Sequence, residues 1–332
     1  MPDRMIVQEA VQIGVESTAG TAVVPTIQFG GLSVDIDTEI EFSEFKPAGQ
    51  LVNSIVAPLR EWSSGELSGF PTYTELPYVL SNLFGAAVIT TPTGATLARQ
   101  WKWTPSATVP WTPKTWTIRR GVSGDTAEQA DYLLLSGLML SFSRTDDPEI
   151  GGDLFARRFD YAATMATTGI TSPALIPILP DQIDVFLDAT GAGLGGTQLT
   201  REFSYALEIS DMFGNIWPLN SSLTSFAAHS VQAPDAGVTL QLGNDTAGRA
   251  MVTNMRAGST VFVRLRAQGA ASSIESGQRY SLIIDTALKV VDSPSRDDQE
   301  GLSTLEWSLR SVYDATWAKW LEVTLVTTTT GL

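Results

Sequence analysis

Between Leu32 and Phe45 the chain reads LSVDIDTEIEFSEF, and apolar and acidic residues alternate with a period of two. Successive side chains of a strand point to opposite faces. The pattern therefore predicts a strand with Val34, Ile36, Ile40 and Phe42 on one face and Asp35, Asp37, Glu39 and Glu41 on the other. Carboxylates at successive positions of one face repel one another unless solvated, so this face meets water, a cation or a lumen. No glycine-turn ligand loop of the calcium-binding kind accompanies it. FKPAGQLVNSIVAPLREW then turns the chain through Pro47, Gly49 and Pro58 into a second strand around Trp62 to Phe70. Alternation returns at Phe203, Tyr205, Leu207 and Ile209, ahead of a turn at Gly214, and at Leu321, Val323 and Leu325.

Two stretches carry the helical period. In TYTELPYVLSNLFG, Thr74 is the expected N-cap, Pro77 falls at the third helical position, and Leu76, Leu80, Leu83 and Phe84 form a stripe ended by Gly85. In DTAGRAMVTNMRAG, Asp245 caps, Ala247, Ala250, Met251 and Met255 form the stripe, and Gly258 closes. The terminal glycines are 173 residues apart. Downstream of each helix comes a similar hairpin, Tyr132 to Phe159 and Tyr280 to Arg310, with the opening tyrosines 148 apart and Gly151 and Gly301 150 apart. One order of elements at nearly fixed spacing predicts a tandem duplication.

The expected fold is mainly β (α+β), with two tandem domains, each flanked by one α-helix. Residues 1–27 are read as an N-terminal arm and 28–178 as the first domain, with an insertion at about 88–114 rich in Thr, Pro and Trp. Residues 179–190 read as a linker or strand, 191–326 as the second domain, and 327–332 as a C-terminal arm able to add an edge strand to a neighbour. A length of 332 residues suits two domains.

Composition removes whole classes of chemistry. Without cysteine there are no disulfides or thiolate metal sites, and one histidine, His229 in a loop-like stretch, excludes multi-histidine centres. A formal charge of −15 argues against tight grip on phosphate backbones, though not against DNA passing nearby. Gly191, Gly193 and Gly196 match GxGxxG after IDVFLD, with Asp211 about where a ribose-binding acid would sit. The alternating run that follows offers no helix N-terminus for pyrophosphate, so the glycines read as a turn. The acid pairs Asp146–Asp147 and Asp297–Asp298 are read as turn formers rather than catalytic carboxylates. No apolar run reaches membrane-spanning length. No cofactor and no enzymatic activity are expected.

The segments GVESTAGTAVVPT, FKPAGQ, SGELSGFPTYTELPYVLSNLFG, VRLRAQG, GQRYSLIIDTALKVV and DDQEGLSTLEWSLRSVYD resemble the major tail (tail tube) proteins of long-tailed, non-contractile bacteriophages. The resemblance implies β-sandwich or barrel-like domains that assemble into sixfold rings stacked as a hollow tube for DNA. Members usually carry one such domain per chain. Two here imply a trimer making a pseudo-hexameric ring, with the tape measure, tail terminator and distal tail proteins as further partners, in the virion tail and, during assembly, the host cytoplasm. The hairpins Leu32 to Trp62 and Phe203 to His229 would then serve lumen and ring contacts, and Asp35, Asp37, Glu39 and Glu41 would line the lumen. The competing reading is a β-rich carbohydrate-binding or adhesion protein using Trp101, Trp103, Trp111 and Trp116 as stacking platforms.

Overall fold

The computed structural model describes residues 9–332. The first half of the chain forms β1 (Glu9–Val15), β2 (Ile27–Phe29), β3 (Leu32–Phe45), β4 (Ile55–Gly69), α1 (Leu76–Phe84), β5 (Val88–Thr90), β6 (Arg99–Trp103), β7 (Trp116–Val122), β8 (Thr126–Leu135), β9 (Leu138–Ser143), β10 (Glu149–Ala156) and β11 (Asp160–Thr164). The second half forms β12 (Ile183–Asp188), β13 (Glu202–Ser210), β14 (Phe213–Ile216), β15 (Ala228–Val231), β16 (Asp235–Gly243), α2 (Thr246–Ala257), β17 (Thr260–Gln268), β18 (Ser281–Val290), β19 (Ser295–Gln299), β20 (Leu302–Ser311) and β21 (Leu321–Thr327). The chain is mainly β, with a large antiparallel sheet.

Eight strands lie side by side in the order β3-β4-β10-β9-β13-β16-β20-β19. Alternation gives this run one apolar face, buried through residues such as Ile36, Leu67, Leu140, Leu207, Leu240 and Trp307, and one polar face. The end of β8 pairs with β10 at Leu134 and Leu135, and the end of β18 with β20 at Leu288 to Val290. At these two places the sheet branches into further runs, β2-β1-β7-β8-β11 and β12-β17-β18-β21-β6-β5. Their apolar residues join the same core cluster. Among the described residues no barrel closes, because strands at the margins of each run keep an unpaired side.

Both helices form where the pattern puts them, with local differences. Helix α1 follows Glu75 rather than Thr74, and Pro77 lies in its first turn, where a missing N–H breaks no bond. Glu75 is fully buried and engaged elsewhere, its Oε1 accepting from the Gly30 and Gly31 N–H groups at 2.8 and 3.2 Å. All nine residues of α1 are buried, so it is an enclosed helix and not a striped one. Asn82, buried within it, is satisfied by the carbonyls of Lys114 and Leu133 and the N–H of Leu135. In α2 the Asp245 carboxylate accepts from Ala247 and Gly248, and Gly258 closes with φ 62. Its buried side is Gly248 and Met251, with Val252 and Met255 half-buried; Ala247 and Ala250 face solvent.

The segments read as arms and insertion are woven into the body. Of the N-terminal span, residues 1–8 lie outside the described residues, while Glu9–Val15 is an interior strand paired with both β7 and β2. The 88–114 segment supplies β5 and β6, and β6 pairs with β21 of the other half. Strand β21 is therefore flanked by β18 and β6 and has no edge to lend. Thr329 beyond it accepts from the Trp101 indole and donates to the Thr74 carbonyl.

Candidate assembly surface

The hairpin β3–β4 outgrows the body that supports it. Its register runs without a break in pairing from Leu32↔Gly69 to Phe45↔Ile55, apart from a bulge that skips Leu59, yet β10 covers β4 only from Ser63 to Gly69. Trp62 still packs half-buried against the core, and beyond it β4 is exposed from Arg60 outward. Val34 and Ile36 are buried as alternation requires, but Ile40 and Phe42, on the same face, are 44% and 52% exposed. Leu51, Val52, Ile55 and Val56 near the tip are more than half exposed. This concentration of exposed apolar side chains makes the arm the candidate contact surface.

The counterpart between β13 and β16 does not project. Its β14–β15 hairpin lies on the first half, where Phe226 is fully buried against Tyr132 and Phe155, with ring centroids 5.2 and 5.5 Å away. The Arg157 guanidinium sits 4.8 Å from the Tyr132 ring centre and donates to the carbonyls of Phe226 and Ala227. The Ser225 hydroxyl donates to the Glu61 carbonyl at 2.7 Å. His229 shares a hydrogen bond of 3.0 Å with the Tyr132 hydroxyl, and burial pushes its pKa below the ordinary value.

The four carboxylates singled out in β3 split between two settings. Asp35 and Asp37 are exposed on the polar face of the eight-stranded run, whereas Glu39 and Glu41 belong to the arm. Asp35 is ion-paired with Arg120 at 2.8 Å, Glu41 is paired with Arg60, and Glu39 accepts from the Ser64 hydroxyl at 3.3 Å. Register adds partners that no single strand advertises: Asp35 stands opposite Glu66, and Glu66 opposite Asp153. Across the β9–β13 junction the same face carries Glu208, and Asp235 lies on β16, where Arg310 holds its carboxyl below the usual range. Like charges directly opposite one another are tolerated only in contact with water or counterions, so the face is built to stay wet. Among the described residues no group of side chains has the makings of a metal site, and no helix is long and apolar enough to cross a membrane.

Other singled-out residues serve the fold. Trp101, Trp103 and Trp116 are buried, Trp101 and Trp103 stacked with centroids 5.8 Å apart, and half-buried Trp111 donates to the Leu83 carbonyl. The buried indoles of Trp101, Trp103 and Trp116 offer no sugar platform. The glycine-rich turn wraps a carboxylate of its own: Asp188 accepts from the N–H groups of Gly195, Gly196 and Thr197, and β13 follows, not a helix. Asp146 and Asp147 lie in a turn, but Asp297 and Asp298 lie within β19, whose turn is made by Glu300 and Gly301 at positive φ. A scan against protein-family models and a search of curated proteins each return no match.

Proposed function

We propose that the chain is a structural subunit of a virion, assembling head to tail into stacked rings that form the tail tube of a long-tailed, non-contractile bacteriophage. The reading begins with a repeated pairing order. In the first half β3 pairs β4, β4 pairs β10 and β10 pairs β9; in the second β13 pairs β16, β16 pairs β20 and β20 pairs β19. The corner pairings of β8 on β10 and β18 on β20 repeat likewise, as do β7 on β8 and β17 on β18. Each unit has its helix between corresponding strands. This order supports two tandem domains with a shared ancestor, each a pair of sheets around part of the core.

One observation carries the assembly. The two units are joined by β9 against β13, a register of six residue pairs from Ser143↔Ser204 to Leu138↔Ile209. Strand β19 holds the position of β9 in its unit, and β3 that of β13, and these two are the unpaired margins of the eight-stranded run. Laying β19 of one copy beside β3 of the next repeats a junction the chain already contains. Such a heterologous contact closes into a ring when the rotation permits, and three copies would bring six units around an axis. The charged residues Arg296, Asp297 and Asp298 on the short β19 margin disfavour indiscriminate edge pairing.

In that ring the acidic face would line the bore, and DNA would slide past a wall that repels phosphates. Tape measure, terminator and distal tail proteins would meet the ends of the tube, and assembly would proceed in the host cytoplasm. Electron microscopy of the concentrated protein tests the reading. Rings or tubes with threefold or pseudo-sixfold symmetry are expected; a species that stays monomeric at every concentration overturns it.

A further inference from the structure

An open groove of about 440 Å³ lies between the start of β16, the end of β20 and residues 106–111 of the first half, lined among others by Val109, Trp111, Pro234, Arg310, Val312 and Tyr313. Its place in the fold corresponds to a site that is occupied in the first half. The occupied site lies where the outer stretch of β4 meets the chain leaving β10, and Phe226 fills it on a hairpin inserted between β13 and β16. The open groove lies where the start of β16 meets the chain leaving β20, since β16 and β20 hold the positions of β4 and β10.

The element corresponding to the inserted hairpin is the β3–β4 arm, which projects without a partner. Its tip and the groove are both apolar and both open: Leu51 and Val52 are 94% and 72% exposed, Val109 and Tyr313 63% and 54%. Within the chain the hairpin crosses the β9–β13 junction to reach the preceding unit. Across the equivalent β19–β3 junction the arm meets the second half of another copy.

We propose that the β3–β4 arm of one copy docks in the groove between β16 and the end of β20 of its neighbour, as the β14–β15 hairpin docks on the first half. This rests on the ring reading and names the surface that locks adjacent copies. Burying several exposed aliphatic and aromatic side chains on each side supplies the apolar driving force that strand pairing at a charged edge lacks.

The absence of native cysteine permits a clean test. Val52→Cys and Tyr313→Cys chains, prepared separately, are mixed under assembly conditions and treated with a short bis-maleimide linker; Leu51→Cys with Val109→Cys is a second pair. A covalent dimer that forms in the mixture, and in neither population alone, is the expected result. Linkage within the Val52→Cys population alone, arm against arm, overturns the proposal. Rings visible by microscopy with no mixed linkage at either pair overturn the docking and leave the ring reading standing. Mixed linkage without rings upholds the docking and removes the ring, and loss of both removes both.

Discussion

Trp62, where the first hairpin leaves the body, meets Trp217, on the connection between β13 and β16, edge to face with ring centroids 5.9 Å apart. Arg60 lies over both rings, at 5.2 and 5.6 Å. Trp217 in turn meets Phe226 at 6.0 Å, so one aromatic chain ties the connection of the second half to the first. Removing its buried member should loosen the whole contact. Phe226→Ala is expected to cost about 3 to 5 kcal/mol, the usual range for an enclosed phenylalanine. Denaturant unfolding measures the loss, and hydrogen exchange should show amides of β14 and β15 opening first. A change below about 1 kcal/mol would mean the hairpin does not depend on this anchor.

The same contact should respond to pH. His229 is held neutral by burial, with Phe213 at 5.3 Å and Tyr132 at 5.8 Å between ring centroids. Its folded pKa lies below the unfolded value of 6.5, so the unfolded chain binds the extra proton more readily. The stabilisation is complete above about pH 6.5 and declines as the pH falls from there toward the lowered folded value. Urea midpoints measured from pH 8 to 5 should drop over that window in the natural chain. His229→Phe keeps the packing, loses the titration and should flatten that part of the profile. An unchanged profile in the variant would assign the drop to other groups.

What the sequence made legible follows from how far each interaction reaches. Period-two alternation in β3, β13 and β21 is local, and Tyr205, Leu207, Ile209, Leu321, Val323 and Leu325 are buried as it requires. The proposed repeat rests on element order and not on Gly151 and Gly301, which are not equivalent: Gly151 lies within β10, and Gly301 at φ 84 makes the β19–β20 turn. The acidic face beyond β3 was hidden because Glu66, Asp153 and Glu208 come one per strand and line up only through register. Phe226 lies in SLTSFAAHS, which has no periodicity, and its partners Tyr132 and Phe155 are remote in sequence. The enclosure of α1 was equally invisible, since burial of its second face depends on segments packed over it from elsewhere.

Tyr132 links that contact to the N-terminal strand. Its backbone is held at φ 60, a conformation costly for a residue with a side chain, and its N–H donates to Glu16 Oε1 at 2.9 Å. The buried Glu16 carboxylate also accepts from the hydroxyls of Thr115 and Thr117 and the N–H of Gly20, at 2.7, 2.9 and 2.7 Å. Glu16→Ala strands these donors and should destabilise by about 3 to 5 kcal/mol, read from the thermal or urea midpoint. Glu16→Gln keeps an acceptor and should cost less. Equal losses in the two variants would show that the charge, rather than the set of acceptors, does the holding.

Exchanging Asp35, Asp37, Glu39 and Glu41 for lysine tests the wall directly. All four are at the surface, and the ion pairs lost, Asp35 with Arg120 and Glu41 with Arg60, are partly exposed, so the fold should lose no more than about 1 kcal/mol. Each exchange moves the formal charge by two, from −15 for the natural chain to −7 for the fourfold variant. Assembled natural protein should leave duplex DNA unbound even at low salt. Variant tubes should retain it, with an affinity that falls steeply and linearly in log-log form as salt rises, because each phosphate neutralised by lysine releases counterions. In reconstituted particles the same variant should slow DNA ejection. If its tubes bind no more DNA than natural ones and ejection keeps its rate, these carboxylates do not face the bore, and the proposed repelling role of β3 falls.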